Sequence, residues 1–437
     1  RLLQPHPPGY PYFVWAGSLL SAGTHEPHAA LVIVSMLLEC LAAAALYLLA
    51  HAMFRSVWAA ISVTLALVFS VTFWTYGEVA LAYPALAAFS CLTALFVHQT
   101  RFDGKPYLPW AAAAYAVGSG FRPDLALFLL PLLAFGAWRQ PRRQVLLSGA
   151  IAVGGVLLWL LPVMALSGGP SGYLSTFASY AATDVVDRYA PSANGLPSLL
   201  VNARDTAQYL GYALYCYAII PAGAVFLLWR RPTGAALQPY VMLALWAMPM
   251  LLFYVLVHIG DPGYVFGVLP ALLLLGAGGW RALAGPTPSE TMQTLLGSGV
   301  ALALLGNVML FVAYDKPLTL TGLRLHDNQT RARMQFVQTL NPDTTMVVSY
   351  DSYKHFKLYA PQFQHNAWLD PLNGGRQVIP VPDGVTTVVF TDTPVFNLLQ
   401  TLPADADYLP SDTWAGRMAV RAGQRLVYQN GRLSLEG

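Results

Sequence analysis

Charge is what this sequence has least of. Only 10% of its 437 residues are Asp, Glu, Lys or Arg, while 56% are hydrophobic and the mean hydropathy is +0.50. A soluble domain carries about 25% charged residues, so an ordinary soluble chain is excluded. The net charge of +3 comes without any basic tract, which argues against a nucleic-acid partner. Cysteine is nearly as scarce. Cys40, Cys91 and Cys216 lie far apart inside apolar runs, a pattern that excludes a disulfide framework or a Cys-based zinc site and predicts small buried apolar side chains. There is neither a Met at position 1 nor a signal-peptide pattern, so the chain reads as one whose beginning has been removed.

What is abundant is long apolar sequence. About 20 apolar residues cross a bilayer as a helix, the form that satisfies its own backbone hydrogen bonds. Ten such runs are expected: 28–53, 56–74, 77–98, 107–120, 122–138, 144–166, 206–229, 237–258, 263–283 and 294–314. The fourth and fifth are short and separated by GFRPD, which also allows one broken hairpin. YPYFVWAGSLLSAG, too short to span and led by aromatics, predicts a helix lying in the interface.

With alternating spans, Arg55, Arg101, Lys105, Arg139, Arg142, Arg143, Arg230, Arg231 and Arg281 share one side, and the short loops of the other side hold only Arg122. The positive-inside rule assigns the Arg-rich side to the cytoplasm. The HPPGYP start, WTYGE, GFRPD, the long loop Ser167 to Asp205, HIGDPGY and everything after Tyr314 are then expected to face outward. No Asp-x-Asp pair stands in the outward loops of residues 1–314, so a divalent metal is not supported and no cofactor is evident.

The composition changes after Tyr314. Residues 315–437 hold 11 of the 24 Lys and Arg. TMVVSY and GVTTVVF predict buried strands, RARMQFVQTL and PVFNLLQTL amphipathic helices, and the Asn-Gly of RLVYQNGRLSLEG a hairpin. The expected organisation is therefore a mainly α, polytopic transmembrane bundle over 1–314 and a small extracytoplasmic α/β domain over 315–437. The latter shows no nucleophile elbow, phosphate loop or metal cluster, which favours support or acceptor recognition over independent catalysis.

Pro5, Pro7, Pro8 and Pro11 prevent a continuous helix and fix His6 in a rigid extended segment, with Gly9 permitting a close turn. The run from HPPGYPYFVWAGSLLSAG through HAALVIVSMLLECLAAAALYLLAHAMF resembles the first outer loop and following helix of polytopic GT-C glycosyltransferases, such as protein mannosyltransferases and aminoarabinose transferases. Leu46, Tyr47 and Arg55 stand where those enzymes end this span in Leu-Tyr and a basic residue. GFRPDLALFLLPLLAF resembles their Arg-Pro-acid element, and HIGDPGYVFGVLPALLLL their late span with an aromatic before LPAL. The resemblance covers most of residues 1–283. It departs from the family at Gly263-Tyr264, where relatives often carry Arg-Tyr.

The resemblance implies transfer of a hexose or pentose from a polyprenyl-phosphate carrier to a lipid, glycan or protein acceptor, in an integral protein of a bacterial plasma membrane. A leaving phosphate gains charge and needs cations or donors. Arg122 is the first choice, against a snorkelling residue paired with Asp124. His6 stands where relatives carry a phosphate-binding Lys, or is incidental to a Pro-rich loop. His258 assists from the other end of the bundle or caps its helix, and Tyr264, Tyr10, Asp124 and Asp261 complete the donor site and groove. The family's acidic base belongs to a loop upstream of Arg1, where one more span is also expected; within the chain, Glu78 and His6 are the catalytic candidates. Glu78 is otherwise explained as an acid favoured near a helix N-terminus. Asp184, Asp187 and Arg188 belong to a loop that is either a lid or merely solvated. Glu39, in mid-span, is either a neutral group bonded between helices or a proton relay. The glycines of VGSG, AVGGV and GAGG read as helix-packing positions.

The main rival is a transporter or lipid flippase, which would show related halves with interrupted helices. A third reading is a non-catalytic assembly subunit, which would tolerate loss of Arg122 and Glu78.

Overall fold

Proline and short polar side chains set the helix starts in this computed structural model, which describes residues 9–285, 289–314, 318–371, 375–398, 407–408 and 415–437. Pro opens the first turn of α1 (Pro11–Thr24), α2 (Pro27–Phe54) and α5 (Pro84–Arg101), where its missing N–H costs nothing. The Glu26 carboxylate caps α2 by accepting from the amides of His28 and Ala29. Ser56 and Ser70 cap α3 (Val57–Val68) and α4 (Val71–Gly77) in the same way. There follow α6 (Leu108–Phe121), α7 (Leu125–Phe128), α8 (Leu130–Ala137), α9 (Arg142–Leu166), α10 (Gly169–Tyr180), α11 (Asp187–Tyr189), α12 (Pro191–Leu214), α13 (Ile219–Ala222), α14 (Ala224–Arg230), α15 (Gln238–Leu256), α16 (Leu269–Ala284) and α17 (Glu290–Ala313). These belong to the first of two units, Arg1–Tyr314; the second is Asp315–Gly437.

By length and composition, five stretches can cross a membrane: Pro27–Phe54, Arg142–Leu166, Pro191–Leu227, Gly234–Leu256 and Glu290–Ala313. The α3–α4 pair, bent by 63°, makes a sixth if it counts as one span. The other expected runs become shorter helices. α6 has 14 residues and α16 has 16, and α5 starts only at Pro84 because Glu78–Tyr83 are not helical. The stretch expected as a long loop, 167–205, is largely helical. A break at Gly195 (φ 70) beside Pro197 masks that helix in the sequence.

Asn307 of α17 ties two helix breaks together. Its Nδ2 donates to the carbonyls of Phe69 (3.1 Å), at the α3–α4 bend, and Leu214 (3.4 Å), at the end of α12, while its Oδ1 accepts from the Cys216 amide (3.0 Å). Backbone groups freed by a break inside an apolar bundle need such partners. The glycines of VGSG and GAGG and Gly155 of AVGGV pack against neighbouring elements, whereas Gly154 meets nothing within 4 Å. A Cβ on Gly279 would lie 1.7 Å from the Gly223 carbonyl oxygen, and one on Gly276 2.0 Å from that of Ile220, so α16 touches the α13–α14 backbone directly. The three cysteines are free, but only Cys91 is buried; Cys40 and Cys216 lie on the surface of the helices.

The second unit begins with α18 (Leu320–Gln338) and continues through β1 (Thr345–Ser349), α19 (Tyr353–Tyr359), β2 (Asn366–Trp368), β3 (Gln377–Pro380), β4 (Thr387–Thr391), α20 (Thr393–Phe396), β5 (Asp407–Tyr408), β6 (Ala415–Ala419), β7 (Arg425–Gln429) and β8 (Arg432–Glu436). One sheet has the order β2-β1-β4-β6-β5, the other β3-β7-β8. β1 runs parallel to β2 and β4, while β6 is antiparallel to β4. Val337, Phe356, Val347 and Val389 fill the helix-covered face of the larger sheet. The β7–β8 hairpin turns at Asn430 (φ 50) and Gly431 (φ 77), both left-handed as a two-residue type I′ turn requires. PVFNLLQTL begins in α20, and its positions 399–402 lie outside the described residues.

Candidate functional site

The arginine of GFRPD lies where α6 has ended. Its side chain is only 4% exposed although it is charged, so the surroundings must replace water. Asp124 takes Nε at 3.2 Å and Nη2 at 2.8 Å, a two-pronged pair. Three tyrosine rings cover the guanidinium, with their centroids at 4.8 Å (Tyr83), 5.1 Å (Tyr264) and 5.2 Å (Tyr10), each adding cation–π attraction. Burial opposes the charge, but Asp124 and the tyrosines outweigh it and hold Arg122 firmly protonated. Its Nη1 donors remain uncommitted among the described residues.

Asp261 stands beside this cluster. Tyr76 donates its hydroxyl proton to the Asp261 carboxylate, and the Gly263 amide donates at 3.1 Å. Burial raises the Asp261 carboxyl above its ordinary range, against the pull of these donors and of Arg122. Gly263 has no room for an arginine: a Cβ would fall 2.4 Å from the Tyr83 ring.

Arg122, Asp124, Tyr10, Tyr264 and Asp261 are thus brought together from three separate segments. Tyr76 and Tyr83 join them unannounced; both lie in TYGEVALAY, where aromatic residues read simply as interface anchors. Glu78 is exposed and caps the C-terminal end of α4, so the expected favourable placement at a helix N-terminus is wrong; the dipole there disfavours an acid. His6 lies outside the described residues, as do the side chains of Asp184 and Arg188, while Asp187 is exposed on α11. Among the described residues no group of His, Cys, Asp and Glu could hold a metal ion.

The family description "Dolichyl-phosphate-mannose-protein mannosyltransferase" matches residues 5–167, the segment that carries Tyr10, Tyr76, Tyr83, Arg122 and Asp124. Two crystal structures of ArnT from Cupriavidus metallidurans, one bound to undecaprenyl phosphate and one in the apo state, match over 94% of this chain and 87% of that one. They do so at 14% identity, with TM-scores of 0.58 and 0.59. The fold is that of the GT-C membrane glycosyltransferases. No curated protein sequence gives a significant match.

Within this GT-C bundle His258 is not a second cation. Its ring stacks on Tyr189 at 4.3 Å and lies 6.4 Å from that of Tyr264. Burial lowers its pKa to about 4, so the imidazole is neutral at neutral pH and would meet a ligand as a donor or a stacking face. The unfolded chain takes up this proton near pH 6.5 and the native state resists until about 4. The unfolded form therefore binds more protons in that window, and the stability that His258 confers above it is lost as the pH falls through it. His258→Phe is expected to flatten the melting temperature between pH 4 and 6.5, a shift worth about 1–3 kcal/mol. An unchanged pH slope would assign the effect to other groups.

Proposed function

We propose that this GT-C protein transfers a hexose or pentose from a polyprenyl-phosphate carrier to a lipid, glycan or protein acceptor at the outer face of a bacterial plasma membrane. The Arg122 cluster carries the reading: a buried, permanently charged guanidinium, fixed by Asp124 and walled by tyrosines, with donors to spare at one end of an apolar bundle. In the reaction the bond between the sugar's anomeric carbon and the phosphate oxygen breaks and its electrons pass to the phosphate. Arg122 offers its Nη1 protons to that growing charge. The acceptor's oxygen or nitrogen attacks the anomeric carbon, and its proton passes to a carboxylate. Glu78 is the exposed carboxylate of this chain proposed for that proton. Asp261, Tyr76 and Tyr264 are proposed to bind sugar hydroxyls, with His258 at the edge as a neutral partner. His6 is proposed as a further phosphate ligand. The separation of Arg-rich and Arg-poor loops supports placing the second unit outside the cytoplasm.

The test is reconstitution of the full chain in proteoliposomes with a polyprenyl-phosphate-linked sugar, following release of free polyprenyl phosphate and labelling of the acceptor. Release stoichiometric with acceptor labelling is expected. Movement of the lipid across the bilayer without cleavage would instead make the protein a flippase.

A further inference from the structure

The turn between α8 and α9, WRQPRR, gathers Arg139, Arg142 and Arg143 at the end of α6 remote from Arg122. It is tightly built. The Gln140 amide donates to the Ala137 carbonyl at 3.1 Å, and Trp138 (φ -59, ψ 124) followed by Arg139 (φ 62) has the backbone of a type II turn. Glycine suits the second of these positions, so an arginine there costs strain that points to a task for its side chain. Arg101, at the end of α5, clamps the turn: its Nη1 donates to the Trp138 carbonyl at 2.6 Å, and its guanidinium lies 5.0 Å from the Phe135 ring centre. Arg142 and Arg143 then occupy the first turn of the 25-residue α9, the end of a helix dipole that disfavours cations.

Nothing in the chain answers these charges. Arg55 pairs with Asp103 at 2.6 Å, Lys105 lies over Tyr107 and Arg230 over Trp229. The side chains of Arg139, Arg142 and Arg143, by contrast, are exposed and have no hydrogen bond or ion pair among the described residues. No Asp or Glu occurs between Asp124 and Asp184, and none in α1, α5, α6, α7, α10 or α15, helices packed on α8 or α9. The complement must come from outside. α9 is apolar, long enough to cross a membrane and barely covered by the rest of the protein, so its first turn stands where hydrocarbon gives way to water. Trp138, 63% exposed, is an interfacial aromatic at that level. Leu146 and Leu147, one helical turn beyond Arg142 and Arg143, are exposed beneath them.

We propose that this turn is a binding site for an anionic phospholipid, its phosphate held by Arg139, Arg142 and Arg143 and its acyl chains lying along Leu146 and Leu147. Three adjacent cations on an otherwise uncharged apolar surface select by headgroup charge, each being worth about fivefold in affinity for an anionic surface. The site is separate from the Arg122 cluster and independent of the transfer reading.

The test is lipid retention by the full chain, purified in mild detergent, offered dioleoylphosphatidylglycerol and dioleoylphosphatidylcholine in equal amounts and read by native mass spectrometry. Wild type is expected to retain the anionic lipid about tenfold or more over the zwitterionic one, and about 0.5 M NaCl to erode that preference. Arg139→Gln, Arg142→Gln and Arg143→Gln combined are expected to bring the ratio near unity at an unchanged melting temperature, because those side chains hold nothing else in the fold. Arg230→Gln with Arg231→Gln removes two charges from another turn assigned to the same side, and is expected to leave the preference within about twofold of wild type. Equal retention of the two lipids by wild type, or a preference that survives the triple change, would overturn the site. So would an equal loss in the Arg230 and Arg231 variant, which means diffuse attraction, or a lower melting temperature in the triple variant, which makes the turn structural. Displacement of phosphatidylglycerol by inorganic phosphate at equal concentration would overturn the lipid in favour of a soluble anion.

Discussion

Replacing Arg122 with Ala is expected to abolish sugar transfer, lowering kcat/KM by about 10²–10³ as removal of a donor to a developing oxyanion does elsewhere. The change removes more than one contact. The Asp124 carboxylate loses both of its guanidinium bonds, and three tyrosine rings lose the cation they surround. Arg122→Lys separates these effects. A lysine keeps the charge but lacks the planar fork, so it cannot hold Asp124 by two bonds and still present a free donor. It is expected to remain folded and to lose at least about tenfold in activity. Binding of polyprenyl phosphate, measured in detergent at several salt concentrations, should weaken in both variants. A near-wild-type rate in Arg122→Ala would reduce the cluster to a packing device.

Asn307→Leu is expected to be the most damaging change to the bundle away from that cluster. The substitution is nearly isosteric and more apolar, so hydropathy alone predicts a gain. It would, however, strand the Phe69 and Leu214 carbonyls and the Cys216 amide. Interhelical hydrogen bonds in membranes are worth about 0.6–2 kcal/mol each, and three lost together should cost about 2–4 kcal/mol. The measurement is a thermal or denaturant melt in mixed micelles, with Asn307→Gln as the variant that keeps the chemistry and changes the reach. Equal stability of wild type and Asn307→Leu would mean that the two breaks are satisfied some other way.

The apolar runs were legible because lipid imposes a length and a composition on each crossing helix, and α2, α9, α15 and α17 fall close to the expected boundaries. The bend between α3 and α4 was not, because no proline marks it and its support, Asn307, lies more than 200 residues away. The same reason hides the tyrosine box. Tyr10 and Tyr264 are expected at the groove and donor site, but Tyr83 reads as an interface aromatic, and only tertiary packing puts all three around Arg122. Arg122 and Asp124 were readable as a pair from their spacing. The Asn-Gly turn was readable because two successive left-handed residues leave few alternatives. The helical content of 167–205 was hidden by Gly195 and Pro197, which interrupt a periodicity that resumes on both sides.

Among the described residues the larger sheet of the second unit ends in β2, of three residues, and β5, of two. Rims so abbreviated give a passing polypeptide few amide and carbonyl groups to zip onto.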